Sequence, residues 1–193
     1  MEWLHAHHFH AITQRRLFQA LERGRALPRR PVLITFDDGY RDVLWNAAPL
    51  LHRLRMPATM YVITARVGGR DGSFLTWSEL VRLERLGFDI GSHTVDHVDL
   101  TRLSSIAAYA ELRSSRRVLE RHLGRPAQWI AYPFGHADER IAVVAAAAGY
   151  VLGVTEATGA AQTAQEPLLL HRYEILPSAG VAGVRAVVES ASG

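Results

Sequence analysis

Six short apolar runs recur along the chain: VLITF (32–36), ATMYVI (58–63), FDIGS (88–92), QWIAY (128–132), VLGVT (151–155) and LLLHRYEI (168–175). Helical patterns separate them. Runs that are apolar on both faces and alternate with helices argue for a buried parallel sheet, because a strand with one wet face would alternate apolar and polar residues. The helices have readable ends. Thr76 and Glu79 in TWSEL make a capping-box pattern ahead of LVRLERL, and Gly87 stops that helix. SSIAAYAELRSSRRVLERHLG runs to Gly124 and DERIAVVAAAAG to Gly149, and an earlier helix is read in QRRLFQALERG. With 193 residues and 48% hydrophobic composition the chain fills one core and is marginal for two. A single α/β domain over 1–193 is expected, with 1–26 as an amino-terminal segment and helix.

The inventory of side chains excludes several chemistries. There is no cysteine, which removes disulfides, thiolate nucleophiles and cysteine-ligated metals, so a bound metal must sit on nitrogen and oxygen. All 22 basic residues are arginine, and the absence of lysine excludes a Schiff-base enzyme and a phosphate-loop nucleotidase. The net charge is +3, but the arginines are scattered among acidic residues on solvated helix faces, so no nucleic-acid partner is expected. No stretch of 18 apolar residues exists, so no membrane span is expected, and MEWLHAHHFH lacks the apolar segment of a signal peptide.

In parallel α/β architectures the working residues lie where strands end. Asp37 and Asp38 follow the first run, and Gly39 allows a turn that brings both carboxylates toward one centre. The plainer reading of this pair is an Asx turn capping a helix. His93 and His97 follow the FDIGS run four residues apart, a spacing that puts both imidazoles on one side of a helical turn. A spaced pair in a chain with ten histidines can be accidental. Together the two strand ends supply two imidazoles and two carboxylates, enough for a metal with three protein ligands, an open position and a base.

A third strand end carries AYPFG (131–135). TFDDG (35–39), HTVDH (93–97) and AYPFG, in this order, resemble the first three motifs of the polysaccharide deacetylases, carbohydrate esterase family 4. The likeness covers about residues 27–175. The resemblance implies a distorted (β/α) barrel with seven or fewer parallel strands; an opening on the amino-terminal side is expected from this chain's own early start. It also implies a divalent metal, usually Zn2+ with Co2+, Ni2+ or Mn2+ as substitutes, and the removal of acetyl groups from sugars. Carried over by position, Asp38, His93 and His97 are the metal ligands, Asp37 is the general base, and the Phe134 backbone N–H donates to the oxyanion. LLH (169–171) matches the fifth motif and makes His171 the acid for the leaving amine. No fourth motif is found.

Two departures matter. Many members open the third motif with an arginine that holds the base, and this chain has Ala131 there. Relatives also have a strand ahead of the first helix, and this chain begins too soon to hold one comfortably. His5, His7, His8 and His10 in the opening stretch read as a second metal site or as an exposed terminus. Tyr40, Trp77, Tyr132 and Phe134 lie near strand-end loops and could stack on sugar rings, whereas Trp45, Trp129 and Tyr150 look like packing residues. The expected function is metal-dependent deacetylation of an acetylated poly- or oligosaccharide, in a family commonly found outside the cytoplasm. The alternatives are an amide hydrolase with a non-sugar substrate and a non-catalytic carbohydrate-binding domain. A non-haem iron oxygenase shares the two-histidine, one-carboxylate set but not the second aspartate.

Overall fold

The computed structural model describes residues 1–157, 159 and 164–190. In chain order the elements are α1 (Glu2–Ala6), β1 (His10–Ala11), α2 (Gln14–Arg23), β2 (Pro31–Val32), β3 (Thr35–Phe36), α3 (Asp42–Asn46), α4 (Ala48–Arg53) and β4 (Ala58–Val62). They continue with α5 (Trp77–Arg85), β5 (Phe88–Ser92), α6 (Ser105–Leu123), β6 (Trp129–Ala131), α7 (Glu139–Ala148), β7 (Leu152–Val154) and α8 (Gly180–Ser190). Strands β3 to β7 form one all-parallel sheet in sequence order, and β1 pairs with β2 in a second, also parallel. Sequential order with helical crossovers is the first half of a barrel. No pairing joins β7 to β1 among the described residues, so the sheet is open on the amino-terminal side.

Strand periodicity sorts the core into layers. On β4, Ala58, Met60 and Val62 face a cluster with Leu51 of α4, Leu80 and Leu83 of α5 and Leu119 of α6, while Tyr61 faces the opposite way. On β6, Ile130 meets α6 and α7 through Leu112, Ile141 and Ala145, while Trp129 and Ala131 face the concave side with Tyr61, Leu152 and Val154. Leu17, Phe18 and Leu21 of α2 fill that concave side. Each fully buried Leu or Ile in these layers contributes about 1.5–3 kcal/mol. The interior is tight: a Cβ at Gly91 would lie 2.5 Å from the Tyr61 ring, so a strand residue without a side chain is required there.

The capping box of Thr76 and Glu79 is formed, and Gly87, Gly124 and Gly149 end α5, α6 and α7 with positive φ. Three sequence expectations change. The run 32–36 is two strands, because Val32 belongs with β1 while Thr35 and Phe36 register with β4. The amino terminus does supply a strand, β1, two residues long. The run 168–175 is no strand: residues 167 and 168 turn, 169 bends, and only Leu170 bridges to Val154.

Candidate active site

The chain leaves β3 at Phe36, and within three residues both carboxylates have turned to one centre. The device is a three-residue turn in which Gly39 N–H donates to the Asp37 carbonyl at 2.8 Å, with Asp38 itself left-handed at φ 68°. Gly39 itself has φ 89°, which favours glycine, and a Cβ there would press on Val62 Cγ1 at 3.1 Å.

His93 and His97 meet, but not on a helical turn. The segment after β5 is a loop in which Thr94 and His97 both take positive φ, 66° and 57°. Thr94 Oγ1 accepts the His97 N–H at 3.1 Å, and Glu111 of α6 accepts the N–H groups of Val95 and Asp96. These ties place the two rings 4.7 Å apart at an interplanar angle of 65°. A β-branched residue in the left-handed region is strained, and such strain persists only where surrounding contacts over-determine it.

Asp38 Oδ1 lies 3.6 Å from His93 Nε2 and 3.7 Å from His97 Nε2, and one donor atom from each of the three side chains lies within 4.8 Å of the others. A tetrahedral ion with bonds of about 2.0–2.1 Å holds its ligands about 3.4 Å apart, so this set fits a divalent metal with little adjustment. His93 is oriented for that task. Its Nδ1 sits 2.8 Å from the Ala131 carbonyl, which keeps the proton on Nδ1 and aims the Nε2 lone pair at the centre. Burial lowers the His93 pKa despite the nearby carboxylates, which favours the neutral, ligating form.

Asp37 lies on the other side of this cluster, with Oδ2 3.9 Å from His93 Nε2. Its partner is Arg172, a residue that sequence reasoning missed. The guanidinium donates from Nη1 to Oδ1 at 2.9 Å and from Nη2 to Oδ2 at 2.5 Å. Burial pushes the Asp37 carboxyl up, but the hydrogen bonds and charge of Arg172, with lesser help from His93 and His97, outweigh it and leave its pKa below the usual carboxylate value. No local signal could reveal this pair, because 135 positions separate the partners.

Phe134 stands beside the centre, 51% exposed and edge-on to His97 at 4.7 Å. It is left-handed at φ 58°, and its N–H has no acceptor among the described residues. Behind it, His136 is held by Asp99 at 3.0 Å. Tyr40 is 45% exposed next to Gly39 and stacks on Phe74 at 5.0 Å. Two other expected sugar contacts lie elsewhere. Tyr132 is fully buried in the layer between β6 and the helices, because it continues the outward phase of Ile130. Trp77 packs on the core and stacks at 3.9 Å on His122, in the last turn of α6, which leads away from the strand ends. His171 is exposed with its ring beside Gly159, outside the cluster of Asp38, His93 and His97; its neighbours Leu170 and Arg172 go to the core and to Asp37. At the amino terminus, His7 stacks on Trp3 and sets Nδ1 2.8 Å from the Trp3 carbonyl, and His10 Nδ1 lies 2.8 Å from the Arg29 carbonyl. Those imidazoles serve local structure.

The sequence profile of the polysaccharide deacetylase family matches residues 24–153, and the chain belongs to that family. It is 31% identical over 190 residues to YxkH of Bacillus subtilis, whose name as a polysaccharide deacetylase is provisional; the match covers 98% of this chain and 67% of that one. It is 26% identical over 157 residues to the poly-β-1,6-N-acetyl-D-glucosamine N-deacetylase of Staphylococcus aureus strain MRSA252, covering 75% of this chain and 54% of that protein's length. Among solved structures it superposes on the Streptococcus pyogenes deacetylase PplD in complex with acetate with a TM-score of 0.89 at 27% identity, over 97% of this chain and 83% of that one. The fold is shared with IcaB from Ammonifex degensii, with a TM-score of 0.87 at 23% identity over 97% of this chain and 85% of that one.

Proposed function

We propose that this chain is a metal-dependent hydrolase that removes acetyl groups from N-acetylated sugars of a poly- or oligosaccharide. One observation carries the reading: a three-donor cluster of Asp38, His93 and His97 with a second carboxylate, Asp37, beside it and held in its ionised form by an arginine. A domain that only binds sugar has no use for that second carboxylate. The names of the staphylococcal relatives support an N-acetylated glucosamine polymer as the substrate class.

A divalent cation, zinc first among the candidates, would be held by Asp38, His93 and His97, and would supply Lewis acidity that polarises the acetyl carbonyl and acidifies water. Asp37 accepts the proton as the water oxygen bonds to the carbonyl carbon. The Phe134 N–H is free to donate to the oxygen on which charge develops. The C–N bond then breaks, acetate leaves, and the sugar amine takes up a proton. Tyr40, flattened against Phe74, offers a ring face for a sugar at the rim.

The test is acetate release from chitin oligomers, β-1,6-linked N-acetylglucosamine oligomers, peptidoglycan fragments and acetylated xylan, with metal content measured on the same preparation. Release from an N-acetylated substrate is expected. Acetate from none of them, with metal bound, would turn the reading toward a non-sugar amide substrate or a binding domain. His171→Ala tests the expectation that His171 protonates the amine, which calls for a fall in kcat of roughly 10²–10⁴-fold. Wild-type turnover would leave both proton transfers with Asp37.

A further inference from the structure

The side chains that hold Arg172 come from across the barrel interior. Its Nε donates to the Thr155 carbonyl at 3.0 Å and its Nη1 to Thr35 Oγ1 at 3.1 Å, in addition to the two bonds to Asp37. Below the guanidinium lies the Tyr61 ring, with Cζ 6.0 Å from the ring centroid. Tyr61 is fully buried, wedged against the bare backbone of Gly91, and its hydroxyl takes a hydrogen bond from Gln14 Nε2. Gln14 opens α2, and its backbone N–H donates to Asp89 Oδ2 at 3.1 Å. Asp89 is the second residue of β5, whereas His93 follows the last, so Gln14 stands where the strands begin and Asp37 where they stop.

We propose that Asp37 is positioned through the barrel interior: Arg172 fixes the carboxylate, Tyr61 is the floor that fixes Arg172, and Gln14 of α2 pins Tyr61 from the end where the strands begin. The proposal rests on Asp37 as the base and adds how the base is held when residue 131 is alanine. A guanidinium with both Nη groups on one carboxylate sets its plane as well as its position, which a single point charge cannot do. A planar aromatic beneath the guanidinium restricts its tilt and adds attraction. Ala131 packs in the same interior cluster as Tyr61, so an arginine introduced at 131 starts from the side of the ring that Arg172 uses as its floor.

The experiment exchanges the two positions. Arg172→Ala is expected to lower kcat by roughly 10²-fold, the scale of a misplacement of about 1 Å, with KM and metal content unchanged. Arg172→Lys keeps the charge without the fork and should fall nearly as far. Adding Ala131→Arg to Arg172→Ala should recover at least about tenfold of the loss, which a merely structural role would not produce. Tyr61→Leu should lose roughly tenfold in kcat and Tyr61→Phe less than about twofold, since the phenyl ring keeps the floor. Crystal structures of the same variants decide the point without a substrate: the Asp37 carboxylate should move by about 1 Å in Arg172→Ala and return in the double variant. An unmoved Asp37 in Arg172→Ala, or a wild-type kcat there, overturns the proposal. If the unaltered protein releases acetate from nothing, the function reading fails while the structural comparison still tests how Asp37 is held.

Discussion

Positive φ serves two purposes in this sheet, ending helices at three returns and shaping the candidate site at three strand ends. Where α5, α6 and α7 turn back into β5, β6 and β7, the left-handed residues are Gly87, Gly124 and Gly149, which take φ of 99°, 67° and 98° without a Cβ penalty. Where β3, β5 and β6 end, the left-handed residues are Asp38, Thr94, His97 and Phe134, each with a side chain and a cost of about 1–2 kcal/mol. The returns from α5, α6 and α7 follow the local glycine rule, although Arg55 ahead of β4 is left-handed at φ 54°. The strand ends break it at the positions that build the candidate site, and are held there by ties such as Thr94 Oγ1 and the Glu111 carboxylate. Four of the left-handed residues that carry a side chain gather at the candidate site, and there they mark where the chain gave up stability for geometry.

The sharpest break of this contrast is at the strained end. His93→Ala removes a buried member of the proposed ligand set, and loss of metal uptake by elemental analysis together with loss of acetate release is expected; full metal occupancy would contradict that set. Next in size, Asp37→Asn should keep its metal and lose roughly 10²–10⁴-fold in kcat, whereas Asp38→Asn should lose metal affinity and be partly rescued by excess metal. Recovery of Asp37→Asn rather than Asp38→Asn under excess metal would mean that the roles are exchanged.

The pH response should follow from Arg172. Because the Asp37 pKa lies below its unfolded value, the Asp37–Arg172 pair contributes stability that is fully present above the unfolded carboxylate pKa of about 3.9 and is lost as pH falls through the depressed value. Melting temperature measured from pH 7 down to about pH 3 should therefore drop less steeply once Arg172 is replaced by alanine. The acid limb of kcat against pH should at the same time move to higher pH, since burial then acts on Asp37 against only the lesser influence of His93 and His97.

The smallest effects compare the ends directly. Gly124→Ala meets no atom within 4 Å, so its cost is the left-handed backbone alone, about 1 kcal/mol by denaturant unfolding. Phe134→Gly relieves about 1–2 kcal/mol of strain but adds about 0.5–1 kcal/mol of chain entropy and forfeits the contact with His97, so its stability should change by less than about 1 kcal/mol. A loss of several kcal/mol at Phe134 would show that this end is not strained as described.

Read as a sequence, the chain shows its parallel α/β class, its helix ends and the residues Asp37, Asp38, His93 and His97, because hydrophobic period, caps and glycine stops are local quantities. Family resemblance adds Phe134. Tyr132 and Trp77 were misplaced because proximity to a motif does not say which face of a strand or which end of a helix a ring occupies; the phase of β6 sends Tyr132 into the helix layer, and core packing sends Trp77 to His122. The segment 168–175 looked like a strand because its apolar run is real, yet its pairing with β7 is limited to Leu170.

What the sequence alone determined is therefore the architecture and the types of side chain that the strand ends deliver. What only the tertiary structure decided is how Asp37 is held. Arg172 reaches Asp37 across 135 positions, Tyr61 lies under it because Gly91 leaves room, and Gln14 meets Tyr61 only because α2 fills the concave side of the sheet. The physical reason is range. Turns, caps and periodicity are set by neighbours within a few residues, whereas a hydrogen bond across a barrel interior depends on strand register, and register is a property of the folded whole.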